Sequence, residues 1–114
     1  LFYREDGVVP RTSDITLRQV QERIKRLYGA KDEARGASGT FLWFMEEVGE
    51  LATALRGGET PEQVAAEFAD VQAWLATLAN IAGVDLGAAV SAKYGLSCPG
   101  CGAEPCSCPS HEKP

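Results

Sequence analysis

Cysteine is absent before Cys98 in this 114-residue chain, and all four cysteines crowd into residues 98–108. That excludes a disulfide framework for the main body, and in an intracellular protein such crowding reads as metal binding before disulfides. Basic residues are scarce where acids are dense. Between Gly36 and Ala92 only Arg56 faces Glu46, Glu47, Glu50, Glu59, Glu62, Glu67, Asp70 and Asp85. With a net charge of -5, this argues against a nucleic-acid polymer as partner, since phosphate backbones are held by clustered Lys and Arg. No apolar stretch approaches the length that spans a bilayer, and the N-terminus lacks a basic region followed by an apolar run. A soluble, cytoplasmic protein is expected. Neither an internal repeat nor an alternating apolar-polar run long enough for a sheet is present, so the fold class expected is all-α.

A chain of this length holds one core, and 45% hydrophobic residues suffice to build it. Short helical chains often complete that core with a second copy, so homo-oligomerisation is expected. Residues 1–13, interrupted by Gly7 and Pro10, read as an arm, residues 14–95 as the domain and residues 96–114 as a Cys-rich tail. A capping signal at Asp14–Thr16 precedes Leu17, Val20, Ile24, Leu27 and Tyr28 at helical spacing, up to Gly29. The glycine-bearing stretch 29–39 reads as a mobile connection. A second helix follows from about Thr40 to Leu55, ended by Gly57-Gly58. Thr60, Pro61 and Gln63 form a capping box for a third, running to Ala82 and Gly83. Asp85 caps a fourth from Leu86 to Tyr94. A bundle of about four helices results.

At 100° per residue, Phe41, Phe44, Met45, Val48, Leu51, Ala52 and Leu55 share one stripe of the second helix, read as core. Trp43, Glu47, Glu50 and Ala54 form the stripe beside it, and Glu46 points further outward. On the third helix, Val64, Phe68, Val71, Leu75, Leu78 and Ala82 read as core, flanked by Glu67, Asp70, Trp74, Thr77 and Ile81. Each helix thus carries two acids one turn apart beside its apolar face, where a neighbouring helix partly desolvates them. Four converging carboxylates repel strongly unless protonated or neutralised, and Lys and Arg are lacking. A divalent cation fits. All-oxygen ligands suit Mg²⁺ or Mn²⁺ better than Zn²⁺.

EEVGEL at 46–51 followed by EFADV at 67–71 resembles the EExxE…ExxD signature of the MazG-like all-α nucleoside triphosphate pyrophosphohydrolases. The resemblance covers roughly residues 15–95 and extends to LATLANIAGVDL at 75–86 and to Lys93. It implies Mg²⁺-dependent hydrolysis between the α and β phosphates of a nucleoside triphosphate, giving the monophosphate and pyrophosphate. Glu47, Glu50, Glu67 and Asp70 match the family's metal ligands. Glu46 matches a first acid that only some subfamilies have; as a catalytic residue its role stays open between second-metal ligand, water-orienting base and neither, and it ranks below the other four. Asn80 matches a position near the nucleotide, Lys93 matches the basic residue of the family's last helix and is a candidate to hold the triphosphate, and the family pattern implies a homodimer or homotetramer. Trp74 and Trp43 are candidates to stack a base, beside a plain packing role, and Lys31 and Arg35 are candidates to hold the triphosphate, beside a solvated one.

CPGC at 98–101 has the form of a metal knuckle, and CSC at 106–108 supplies two more thiols. Cys98, Cys101, Cys106 and Cys108 are the expected ligands of a structural Zn²⁺, with His111 a possible replacement for one cysteine. Two other readings stand beside the main one. The first is a related all-α pyrophosphohydrolase acting on phosphoribosyl-ATP or dUTP. The second is a catalytically idle helical module that binds a protein partner through its zinc tail.

Overall fold

The computed structural model describes residues 14–112. The arm expected over residues 1–13 lies outside them, as do Lys113 and Pro114. Among the described residues there are three helices and no strand: α1 (Leu17–Arg56), α2 (Pro61–Ala82) and α3 (Leu86–Tyr94). The all-α expectation holds. No single described helix is long and apolar enough to cross a membrane.

The caps read from the sequence are formed. The Thr16 hydroxyl accepts from the Gln19 backbone N–H while the Gln19 side chain accepts from the Thr16 N–H, and Thr60 with Gln63 repeats this at the start of α2. Pro61 occupies the first turn of α2, and Gly83 ends that helix in the left-handed conformation. Asp85 caps α3 by accepting from the Ala88 N–H and also pairs with Arg18 at 2.8 Å. Those two contacts hold the Asp85 carboxyl below the usual range, the Ala88 amide being the larger cause.

Two expectations are corrected. The connection expected over 29–39 is helical except at Gly36, so the first two predicted helices run together as one element, kinked there, and the described residues hold three helices rather than four. Ala30, Lys31, Glu33, Ala34 and Arg35 are good helix formers, and they outweigh the glycines on either side. Only Gly36 leaves the helical conformation, at φ 78° and ψ 175°, and so kinks α1. A Cβ there meets nothing within 4 Å, so backbone conformation rather than crowding calls for glycine. Arg35 clamps the kink, its Nε donating to the Thr40 hydroxyl at 3.0 Å and its guanidinium pairing with Asp32 one turn earlier.

The second correction concerns the core. The predicted core stripes include Phe41, Met45, Leu55 and Phe68, yet these are 51%, 47%, 59% and 53% exposed. What α1 and α2 bury against each other is small: Ala54, Ala76, Ala79, Thr40 and Thr77. Ala54 and Thr77 belong to the stripes expected at the border. The helices therefore approach through small residues and bring their acid-bearing stripes together, leaving Phe41, Met45, Leu55 and Phe68 outward while Phe44, Val48, Leu51, Val64, Val71 and Leu78 are half-buried. Small residues permit the close approach that brings the acids together.

A polar lock fixes the other end of the pair. Buried Gln21 donates from Nε2 to Asn80 Oδ1 at 3.1 Å and to the Val84 carbonyl at 2.7 Å, and its Oε1 accepts from the Leu86 N–H at 2.8 Å. Asn80 Nδ2 returns a bond to the Gln21 carbonyl at 3.0 Å. Gln21→Ala strands several part-buried groups at once and is expected to cost about 2–3 kcal/mol, read as a lower urea midpoint. Unchanged stability would remove the lock from the fold's account.

Candidate metal and nucleotide site

The second half of α1 presents Glu47 and Glu50, and the middle of α2 presents Glu67 and Asp70. A carboxylate oxygen from each of Glu47, Glu50 and Glu67 falls within 4.8 Å of the other two. Asp70, one turn along α2 from Glu67, stands close enough for its charge to act on both Glu47 and Glu67. Glu46 is exposed and lies outside the cluster.

The electrostatics are those of an uncompensated acidic cluster. Burial, then a hydrogen bond with Glu50 and the charges of Glu50, Asp70 and Glu67, pushes the Glu47 carboxyl up to about 7. Glu67 is raised too, again first by desolvation and then by Glu50 and Asp70. Among the described residues no Lys or Arg forms an ion pair with any of the four; the cations pair elsewhere, as Arg18 with Asp85 and Arg35 with Asp32. Glu47 Oε2 and Glu67 Oε2 are buried with no hydrogen-bond partner. Buried carboxylate oxygens without a donor are costly, and such oxygens on two members of one acidic cluster suit a hard divalent cation.

Two open cavities adjoin the acids. One, of about 320 Å³, is lined by Glu50, Thr53, Ala54, Glu59, Gln63, Ala66 and Glu67. The other, of about 310 Å³, has Asp70 on its wall together with Lys31, Asp32, Arg35, Tyr28 and Trp74. Trp74 stacks with Trp43, ring centroids 6.2 Å apart and planes 18° apart, and the Arg35 guanidinium sits 4.9 Å from the Trp74 ring centre. Of the residues expected near a nucleotide, the structure thus gathers Lys31, Arg35, Trp74 and, through its stack, Trp43. It does not gather the other two. The Asn80 side chain is engaged with Gln21, and Lys93 lies on α3 with Nζ 5.6 Å from the Tyr94 ring centre, on neither cavity.

Sequence reasoning missed Asp32. Its side chain is buried, Oδ1 is held by Arg35, and Oδ2 has no partner in the wall of the second cavity. The signal was available in the spacing of Asp32 and Arg35, which is that of an i,i+3 helix pair, but it is visible only once residues 29–35 are read as helix.

In the tail, one sulfur from each of Cys98, Cys101, Cys106 and Cys108 falls within the same 4.8 Å limit. Contacts from Ser107 and the Ala103 backbone N–H hold the Cys101 thiol down at about 5. Sulfur neighbours, Cys106 foremost, push Cys108 up to about 12.

Fold and site together define an all-α domain built to concentrate carboxylates between two helices. The sequence model of the MazG nucleotide pyrophosphohydrolase domain matches residues 36–100, more than half of the chain and the whole acidic cluster, and the chain belongs to that family. No curated protein matches it.

Proposed function

We propose that this chain is a Mg²⁺- or Mn²⁺-dependent hydrolase of nucleoside triphosphates, cutting between the α and β phosphates to give the monophosphate and pyrophosphate. The setting is the cytoplasmic nucleotide pool, where such an enzyme removes unwanted (d)NTPs. One observation carries the reading: Glu47, Glu50 and Glu67 meet with no Lys or Arg paired to them among the described residues, and two of their buried oxygens lack any hydrogen-bond partner.

Glu47, Glu50, Glu67 and Asp70 hold the ion in this reading. A bound ion would offset phosphate charge and lower the pKa of a water so that it can attack as hydroxide. The protein's own groups mostly position. Below about 7 Glu47 keeps a proton, shared toward Glu50. Lys31 and Arg35, at the wall shared with Asp70, face the phosphate charge, while the Trp43–Trp74 stack offers the apolar surface a base needs. The unpartnered Asp32 Oδ2 accepts a hydrogen bond from a base edge that carries a donor. The outward Phe41, Met45 and Leu55 of α1 and Phe68 of α2 are covered by a second copy, giving a homodimer or a homotetramer.

Product analysis decides the reaction. Incubation of each canonical and damaged dNTP and NTP with Mg²⁺ is expected to yield monophosphate plus pyrophosphate. Diphosphate plus phosphate would sink the proposed bond cleavage, phosphoribosyl-ATP turnover without dNTP turnover would reassign the substrate, and no turnover at all would leave the idle module. For the pocket, Trp74→Ala is expected to raise KM roughly tenfold or more, since one base–aromatic stack is worth about 1–3 kcal/mol. An unchanged KM would remove Trp74 from the nucleotide's surroundings.

A further inference from the structure

The tail following α3 has no helix or strand through Glu112, and Leu96 is 89% exposed. Nothing in it amounts to a core. A segment this short does not hold a fixed shape by apolar burial alone and needs a staple. Its chain is nevertheless folded around its own sulfurs. The Gly102 N–H donates to the Cys98 carbonyl at 2.8 Å and the Cys98 N–H donates to the Ala103 carbonyl at 3.2 Å, closing a turn in which Gly102 takes φ 74°. That left-handed residue reverses the chain immediately after Cys101, which lets the second pair return although it follows so closely in sequence.

The sulfur positions carry the inference. Cys98 Sγ and Cys108 Sγ are 3.8 Å apart, and Cys101 Sγ and Cys106 Sγ are 3.9 Å apart. A disulfide needs about 2.05 Å, so neither pair is bridged. Four sulfurs at the corners of a tetrahedron with metal–sulfur bonds of about 2.3 Å lie about 3.8 Å from one another. The observed separations are those of the tetrahedral edge. Backbone amides also point at the sulfurs: Gly100 N–H at Cys98, Ser107 N–H at Cys101 and Cys108 N–H at Cys106, each at 3.3 Å. Amide donors of this kind offset charge on thiolate ligands and fix their orientation.

We infer that Cys98, Cys101, Cys106 and Cys108 form a closed, mononuclear zinc site that holds the C-terminal tail in shape and takes no part in turnover. The soft, all-sulfur, tetrahedral set selects zinc over the hard ions suited to the carboxylates. With four protein ligands no position stays open for a substrate, which makes the site structural. On binding, every sulfur that still carries a proton passes it to solvent, and the free energy of coordination becomes folding free energy of the tail. His111 is not needed: it is exposed and lies 3.7 Å from Glu112.

The test uses the full chain purified without chelator. Elemental analysis is expected to find one zinc per chain, and exchange with Co²⁺ is expected to give the intense visible bands of tetrahedral thiolate coordination. Cys101→Ser and Cys108→Ser are each expected to lose the metal and the dispersion of tail amide resonances. Helical circular dichroism and Mg²⁺-dependent turnover are expected to stay unchanged. Free thiols with no zinc uptake, a pair of disulfides, or a coloured iron-loaded protein would each overturn the assignment. So would a pyrophosphohydrolase activity that falls with the zinc.

Discussion

Glu47→Gln is expected to lower metal-dependent turnover by about 100-fold or more while making the metal-free protein more stable at neutral pH. On the proposed reading the loss follows from removing one of the oxygens that would hold the ion, in a reaction where charge neutralisation is most of the catalysis. The gain follows from the same geometry. In the folded chain Glu47 keeps its proton up to about 7, against 4.5 as its ordinary value. Between those values the native state binds more protons than the unfolded one, so stability falls as pH rises through the window. Thermal midpoints of the wild-type chain in EDTA are therefore expected to drop from about pH 5 to pH 7.5, and Mg²⁺ to reverse the drop. Glutamine copies the protonated carboxyl at every pH, with an N–H in place of the O–H toward Glu50, so the variant's midpoint falls less. Some slope persists through Glu67, whose carboxyl is also raised. A variant that keeps its turnover, or one that melts with the wild-type pH slope, would break the link between acid crowding and ion binding. This trade of stability for a charged site is the usual one.

How much of this was legible beforehand depended on how local the cause was. Caps at Thr16, Thr60 and Asp85 are set by side chains within three residues, and each formed as read. The paired acids were legible because helical spacing alone puts residues three apart on one stripe. The 29–39 segment was misread because glycine count and helix propensity point in opposite directions there, and only Gly36 acts on the backbone. Asp32 was hidden by that same misreading. The core was misjudged for a different reason. Periodicity reports that Phe41, Met45 and Phe68 share apolar faces, but not whether the cover is the next helix of the same chain or another molecule. Close α1–α2 packing through Ala54, Ala76 and Ala79 took the small-residue stripes inward instead.

The exposure of Phe68 makes Phe68→Glu the second large effect. Wild-type protein is expected to sediment as a dimer or larger species at micromolar concentration, and the variant as a monomer. Phe68 is 53% exposed on α2 and Leu75 37%, while Phe41, Met45 and Leu55 carry the matching stripe of α1. Apolar faces of this extent are buried in working proteins. A two-fold symmetric contact repeats every residue, so one substitution acts twice. Taking about 2 kcal/mol for one interface aromatic, the pair shifts the dissociation constant by roughly 1,000-fold. The acid site adjoins this face on both helices, so loss of the partner is also expected to loosen the α1–α2 approach and lower turnover. Leu96→Glu, in the tail, provides the control and is expected to change neither mass nor activity. A wild-type chain that stays monomeric would mean that something other than a second copy covers the stripe. A Phe68→Glu chain that stays dimeric would place the contact elsewhere on the molecule.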